Sequence, residues 1–172
     1  MDITQLILDD HAEQRRLFAI IEQIDPTDTE ALTAVWSRLS AFLDVHAEAE
    51  ERFFYPELLK LGEGANDAED GTVEGETEDA IEDHNKLRDA VAAVDRHPVG
   101  TGAWVEAVGR ANVVNSKHMG EEERQGLTDF RRHAPLATRH ALAVQFAAFE
   151  ADHITGVKAV NKDPDAYIEQ HG

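Results

Sequence analysis

The apolar residues of this 172-residue chain recur every three or four positions along most of its length. Such spacing predicts helices with one buried face, and no segment shows the alternation of apolar and polar residues that is typical of a strand. The length suits one domain with a substantial core, and an apolar content of 42% is ordinary for such a domain. We therefore expect an all-α protein.

Turn residues divide the chain into five helical segments. The periodicity and the helix-breaking residues place them at roughly residues 2–24, 27–61, 77–94, 102 into the 120s, and 135–160. Thr27 and Glu30 resemble a capping box at the start of the second helix, and Pro135 suits the first turn of the fifth. The segments predict an antiparallel up-and-down four-helix bundle with an additional C-terminal helix.

This prediction gives one bundle domain over residues 1–160, with a core over 1–131 and the additional helix over 135–160. Residues 161–172 are expected to be a loosely attached C-terminal tail. Residues 61–80, LGEGANDAEDGTVEGETEDA, read as a flexible acidic loop, because their DAEDG core lacks the full spacing of a calcium-binding EF-hand.

Composition excludes several classes of function. The formal net charge of −19 argues against nucleic acid and anionic membranes as partners. The sequence contains no cysteine, so thiolate metal sites, disulfides and cysteine nucleophiles are ruled out. No basic leader and no long apolar run is present, and we therefore expect a cytoplasmic protein.

His46 and Glu50 interrupt the apolar stripe of the second helix, which otherwise contains Leu39, Leu43 and Phe53. Residues i and i+4 lie one above the other on a helix, so both polar side chains face the expected core. Burial of a lone carboxylate is costly unless a partner group or a metal ion compensates for it.

The fourth helix repeats this His-x-x-x-Glu spacing, and the first and third helices each add one histidine to their apolar face. The spacing alone is a weak signal. The placement of these residues on the apolar faces of four helices is a stronger one, because the core of a bundle rarely contains so many polar groups. Imidazole and carboxylate together favour iron. The candidate metal ligands are His11, His46, Glu50, His84, His118 and Glu122.

Four segments of the chain resemble the hemerythrin-like, or HHE cation-binding, domain over about residues 1–131: DDHAEQRRLF, HAEAEERFFYPEL, EDHNKLRDAV and KHMGEEERQ. The element H-x-x-x-E-E-x-x-x-Y-P, His46 through Pro56, is its most distinctive part. The resemblance implies two iron ions in a non-haem, oxo- or hydroxo-bridged di-iron centre, with Glu50 and Glu122 as bridges. The resemblance also implies that the same six residues are the metal ligands.

The sequence departs from hemerythrin proper at two positions. Arg88 stands where the third helix of hemerythrin has a second histidine, four residues after the first. Glu123, preceded by Glu122, stands where hemerythrin has an aspartate. The set is one histidine short of an oxygen carrier's seven ligands, so the resemblance favours reaction with peroxide, O2 or NO over reversible oxygen carriage.

Two further residues are weaker candidates for the site. His153 lies on the apolar stripe of the fifth helix and is either a late ligand or a hydrogen-bonded core residue. Tyr55 either contacts the metal centre or packs against neighbouring phenylalanines. Glu51 and Glu121 are expected to be solvated, although either could serve at the site if the helical register differs. Four histidines are expected at the surface: His97, His133, His140 and His171.

Several functions remain open at this point. The leading hypothesis is a di-iron protein that binds or reacts with oxygen species, with a catalase-like activity as one form. An iron or oxygen sensor or store keeps the metal without turnover. A ferritin-like oxidase needs Glu-x-x-His on two helices, and only the segment 150–153 fits. A metal-free helical interaction module is the remaining alternative.

Overall fold

The computed structural model describes residues 1–64 and 71–172, and within these ranges the chain is helical with no strand. A π-helical turn, Glu50–Phe54, joins the second helix to the third. The α-helices are α1 (Ile3–Gln23), α2 (Thr29–Ala49), α3 (Tyr55–Leu61), α4 (Val73–Val94), α5 (Gly102–Arg124), α6 (Gly126–His133), α7 (Leu136–Asp152) and α8 (Pro164–His171). The predicted all-α class is therefore confirmed.

Short polar side chains cap the N-termini of five helices: α1, α2, α4, α5 and α8. The Asp2 carboxylate accepts a hydrogen bond from the backbone N–H of Thr4, and Asp28 does the same for Ala31 at the start of α2. Such caps satisfy backbone donors that have no partner inside the helix. The cap of α2 is thus Asp28, one residue after the predicted Thr27.

Two apolar clusters form the core. One is built around Trp36 and Trp104, whose rings meet edge to face with centroids 6.1 Å apart. The other is built around Phe54, Phe130 and Phe146. Along α1, α2 and α4 a buried histidine falls between residues of the two clusters. Polar side chains therefore occupy a dry layer between two apolar ones.

The region after α5 differs from the sequence expectation. The backbone at Gln125 leaves the helical region at φ −105° and ψ −93°, so α5 ends there and the short helix α6 follows. Pro135, which has no N–H, separates α6 from α7. The predicted single helix over 135–160 was too long, because α7 ends at Asp152 and residues 156–163 lack regular structure.

The acidic segment and the C-terminus also differ. Helix α4 begins at Val73, so the last part of the predicted acidic loop is helical, and residues 65–70 lie outside the described part of the chain. The C-terminal residues form α8, which packs against α4 with Tyr167 buried, rather than a loosely attached tail. Among the described helices, none combines the length and hydrophobicity needed to cross a membrane.

Candidate metal centre

Five helical segments bring the six candidate ligands to one place. The side chains come from α1, α2, the π-helical turn, α4 and α5, and each residue is at most 6% exposed. The cluster consists of His11, His46, Glu50, His84, His118 and Glu122. Ionisable groups this deeply buried require compensation, by each other or by a cation.

Glu50 lies at the centre of this cluster. Its Oε1 lies 2.9 Å from Nε2 of His46 and 3.9 Å from Nε2 of His11. Its Oε2 lies 3.2 Å from Nε2 of His84 and 3.9 Å from Nε2 of His118. The two oxygens thus face two different histidine pairs.

We name the two groups by their histidines. Subsite 1 consists of His11, His46 and Glu50, and subsite 2 consists of His84, His118 and Glu50. Within each group the candidate ligand atoms lie within 4.8 Å of one another. Nε2 of His84 and Nε2 of His118 are 3.0 Å apart, in hydrogen-bond contact with each other.

Glu122 closes the cluster from α5. Its Oε2 lies 3.3 Å from Nε2 of His11, and the hydroxyl of Tyr55 donates a 2.7 Å hydrogen bond to its Oε1. Burial, together with the charges of Glu122 and Glu50, holds the pKa of Tyr55 well above its usual value. Tyr55 therefore stays a protonated phenol that orients a candidate ligand, Glu122.

Several candidate ligand atoms of the cluster have no hydrogen-bond partner among the described residues, whereas Nε2 of His84 and Nε2 of His118 contact each other. Within the described chain, five buried atoms that face its centre lack a hydrogen bond of acceptable geometry: Nε2 of His11, Nε2 of His46, both oxygens of Glu50, and Oε2 of Glu122. Buried polar atoms are almost always satisfied in folded proteins. Four imidazole nitrogens with two carboxylates are a donor set that suits iron, so the residues present fit a two-metal centre.

The π-helical turn explains how Glu50 and Tyr55 act at the same site. In an α-helix, five residues advance about 140° past a full turn, so Glu50 and Tyr55 would point apart. Here the N–H of Tyr55 bonds the carbonyl of Glu50, the i→i+5 pattern of a wider turn. This turn also suits Pro56, whose ring would clash with the carbonyl four residues earlier in an α-helix.

Three carboxylates support the histidines from outside the cluster. Nδ1 of His11 lies 3.0 Å from Glu123, and Nδ1 of His84 lies 2.8 Å from Glu51. A carboxylate can only accept, so each Nδ1 donates its proton and leaves the Nε2 lone pair for a metal. The carboxylate of Asp10 likewise lies 3.3 Å from Nδ1 of His46.

Glu51 is buried, so the expectation that it is solvated was wrong. Both of its oxygens accept hydrogen bonds from Arg88, at 2.8 and 2.9 Å, and Lys162 lies 2.5 Å from Oε2. Burial favours the protonated acid, but the contacts with His84 and Arg88 outweigh it and lower the pKa of Glu51 to about 2. Burial opposes the charge of His84 too, yet Glu50 and Glu51 raise its pKa to about 9.

The structure also resolves the two departures from hemerythrin proper. Arg88 occupies the position of the missing histidine and binds Glu51 rather than the centre of the cluster. Glu123 points away from the centre to His11 and Arg15, whereas Glu122 points into it. Glu121 is bound to Lys117 at 2.7 Å and is partly exposed, as expected.

His153 is not brought to the cluster. It lies at the C-terminal end of α7, where its ring stacks on Phe149 and its Nδ1 lies 2.8 Å from the Phe149 carbonyl oxygen. Helix α7 instead contributes Glu150, which with Asp10 and His46 forms a third group of possible ligands. Its carboxylates face Nδ1 of His46, so this group supports subsite 1 from behind.

Sequence reasoning missed the supporting carboxylates Asp10, Glu51 and Glu123. A signal was available, because each is the immediate neighbour of a candidate ligand in the chain. Glu150 lacked such a signal, since it reaches the site only through the packing of α7 against α1 and α2.

Comparison with known proteins agrees with this geometry. The family model described as hemerythrin HHE cation binding domain matches residues 2–128, which contain all six candidate ligands. No curated protein and no solved structure matches the chain. The match covers most of the chain, and the chain belongs to the hemerythrin HHE cation-binding domain family.

Proposed function

We propose that this protein holds two iron ions and binds or reacts with small oxygen species, namely peroxide, O2 or NO. The bridging position of Glu50 carries the proposal, because its two oxygens each face a separate pair of histidines. His11 and His46 would hold one ion, and His84 and His118 the other, with Glu122 as a second carboxylate between the helices. Iron is favoured by the mixture of imidazole and carboxylate donors.

The protein's own residues prepare the site in three ways. The outer carboxylates hold each imidazole with Nε2 inward. Tyr55 keeps a proton on its hydroxyl and fixes Glu122. The apolar clusters on either side exclude water, which strengthens charge interactions within the cluster. The chemistry that two iron ions supply when bound is the exchange of electrons with an oxygen species.

The size of the adjoining space supports a very small reactant. A cavity of about 20 Å³ lies beside subsite 2 and is lined by Tyr55, His118 and Glu122 together with acidic residues of α4 and α5. A space of this size accommodates about one water molecule. We infer that this space suits a reactant of two heavy atoms, such as peroxide, O2 or NO, better than an organic substrate.

The same arrangement supports the proposed topology. The segments between α1 and α2 and between α4 and α5 have only a few residues, so each pair of helices must reverse direction. We propose that the four long helical segments form the antiparallel up-and-down bundle expected from the sequence, with α7 as the additional helix.

Iron sensing or storage without turnover is the second candidate. It requires the same candidate ligands. It is favoured by the acidic residues that line the cavity, because their negative charge attracts cations. Steady turnover of peroxide by the purified protein separates the two candidates. Oxygen evolution with retention of the iron supports catalase-like chemistry, whereas binding without turnover supports sensing or storage.

The first experiment measures metal per chain in protein purified without added metal or chelator, and records its absorption before and after peroxide. We expect about two irons per chain and a charge-transfer band that changes with peroxide. Glu50→Gln is the test variant, and Glu57→Gln, a half-buried neighbour paired with Lys60, is its control. Stoichiometric zinc, or equal iron in both variants, contradicts the proposal.

A further inference from the structure

Residues 161–171 lie beyond the part of the chain that the family model matches, yet they contact the side chains that support subsite 2. Lys162 is fixed by its backbone: its N–H donates to Oδ1 of Asn85 at 2.9 Å, and its carbonyl accepts from Nδ2 of Asn85 at 2.7 Å. The hydroxyl of Tyr167 donates to the backbone carbonyl of Glu51 at 2.6 Å. This segment is thus built against α4 and the π-helical turn.

Lys162 delivers a positive charge to a buried carboxylate. Its Nζ lies 2.5 Å from Oε2 of Glu51 and also 3.0 Å from Oε2 of Glu48, nearer the surface. Glu51 itself has a fully buried side chain and receives Arg88 on both oxygens. Two cations therefore share one carboxylate, and the other contact of that carboxylate is with Nδ1 of His84.

The strength of the hydrogen bond from His84 to Glu51 depends on these cations. A carboxylate that pairs with two cations is a weaker hydrogen-bond acceptor than one that pairs with a single cation. A weaker acceptor leaves less negative charge on the imidazole and makes Nε2 a weaker donor to a metal. The carboxylates behind subsite 1 differ: Glu123 has one cation, the partly exposed Arg15 at 2.6 Å, and Asp10 lies beside Glu150, another carboxylate.

We propose that Lys162 is a positioning residue for subsite 2: through Glu51 it holds His84 in place and reduces electron donation by its Nε2, so that the two metal positions are electronically unequal. The inference rests on the proposed two-metal function. It gives the C-terminal segment a part in tuning the centre, beyond covering α4. It also accounts for the contact of Lys162 and Arg88 with one buried carboxylate, which a merely structural segment does not require.

The test uses the full chain loaded with zinc, which removes any dependence on redox chemistry. In protein with ¹⁵N-labelled histidine, the proton on Nδ1 of His84 reports the strength of its hydrogen bond to Glu51. We expect Lys162→Met to move this resonance downfield, because Glu51 then has one cation fewer. Lys162→Arg keeps the charge and should restore the original position. Lys158→Met, at an exposed position just before this segment, should leave it unmoved.

The outcomes distinguish the inference from the function on which it rests. A resonance that stays in place or moves upfield in Lys162→Met overturns the positioning role, even where the variant melts at a lower temperature. Wild-type protein that holds no zinc overturns the two-metal proposal itself. In iron-loaded protein we expect Lys162→Met to have a more negative reduction potential than the wild type and Lys158→Met to have the same potential as the wild type. An unchanged potential in both variants contradicts the inference.

Discussion

Asp10 is the immediate neighbour of His11 in the chain, yet its carboxylate lies 3.3 Å from Nδ1 of His46 on another helix. Glu123 likewise follows Glu122 but contacts His11, and Glu51 follows Glu50 but contacts His84. A residue next to one candidate ligand thus supports a ligand from a different helix. These contacts between helices connect α1, α2, α4 and α5 around the cluster.

Replacement of the bridging carboxylate should affect both subsites at once. We expect Glu50→Gln to weaken metal binding by more than about 100-fold, since loss of a mere outer-shell partner already costs roughly 10- to 100-fold. Competition with a chelator of known affinity measures the change. Glu57→Gln should bind as the wild type does, and a Glu50→Gln variant that retains both metals would refute the bridging role.

Removal of metal should lower thermal stability. Binding at 100 times the dissociation constant stabilises a folded protein by about 2.7 kcal/mol, which corresponds to a shift of roughly 5–10 °C for a chain of this size. Calorimetry before and after chelation, followed by addition of Fe²⁺ or Zn²⁺, provides the comparison. Identical melting with and without metal would favour the metal-free interaction module.

Metal affinity should increase with pH. Without metal, the contacts of His84 with Glu50 and Glu51 overcome burial and raise its pKa to about 9. A metal must therefore displace a proton from His84 below that pH, and binding becomes weaker as the pH falls. The raised pKa of His84 also stabilises the metal-free fold. This stabilisation is fully present below about pH 6.5 and is lost as the pH rises through about 9.

Zinc titrations at several pH values, with proton release measured in weakly buffered solution, examine this dependence. Glu51→Gln removes one cause of the raised pKa of His84 and should make the dependence shallower. An affinity that is constant between about pH 6 and 9 would rule out proton displacement from the histidines.

The arginine in the place of hemerythrin's extra histidine should not be convertible into a ligand by simple exchange. Arg88→His removes the paired hydrogen bonds to buried Glu51, and breaking a buried ion pair costs roughly 3–5 kcal/mol. We expect the lower end of that range, because Lys162 still contacts Glu51. Urea unfolding measures the loss.

Arg110→His is the matched control, because Arg110 pairs with Glu106 on the exposed surface of α5. Surface pairs contribute little, so this variant should unfold almost as the wild type does. Equal stability of the two variants would contradict the structural role of Arg88, and an additional metal-histidine contact in Arg88→His would show that the position can join the centre.

The phenol of Tyr55 should matter through Glu122. Tyr55→Phe keeps the ring but leaves Oε1 of Glu122 without its 2.7 Å donor, a loss of about 1–3 kcal/mol for a buried group. We expect metal affinity to fall about tenfold, as is typical for an outer-shell partner. Unchanged affinity together with lower stability would limit Tyr55 to packing.

Sequence reasoning located the six candidate ligands because their placement depends on local geometry. His46 and Glu50, or His118 and Glu122, lie one helical turn apart, and that spacing places them on one face in any helix. Their position within apolar stripes then predicts burial. The same logic failed for α6 and for the end of α7, where turns depend on packing rather than on periodicity.

By itself, the sequence determined the all-helical class, the buried histidines and glutamates, and the family to which they point, because these follow from period and composition. Only the tertiary structure decided that Glu123 contacts His11, that Glu51 is buried, and that Lys162 reaches it. The reason is physical: helical periodicity is set within one turn of chain. Which atoms meet between helices depends on how the packed helices are rotated and on a π-helical turn that no periodicity predicts.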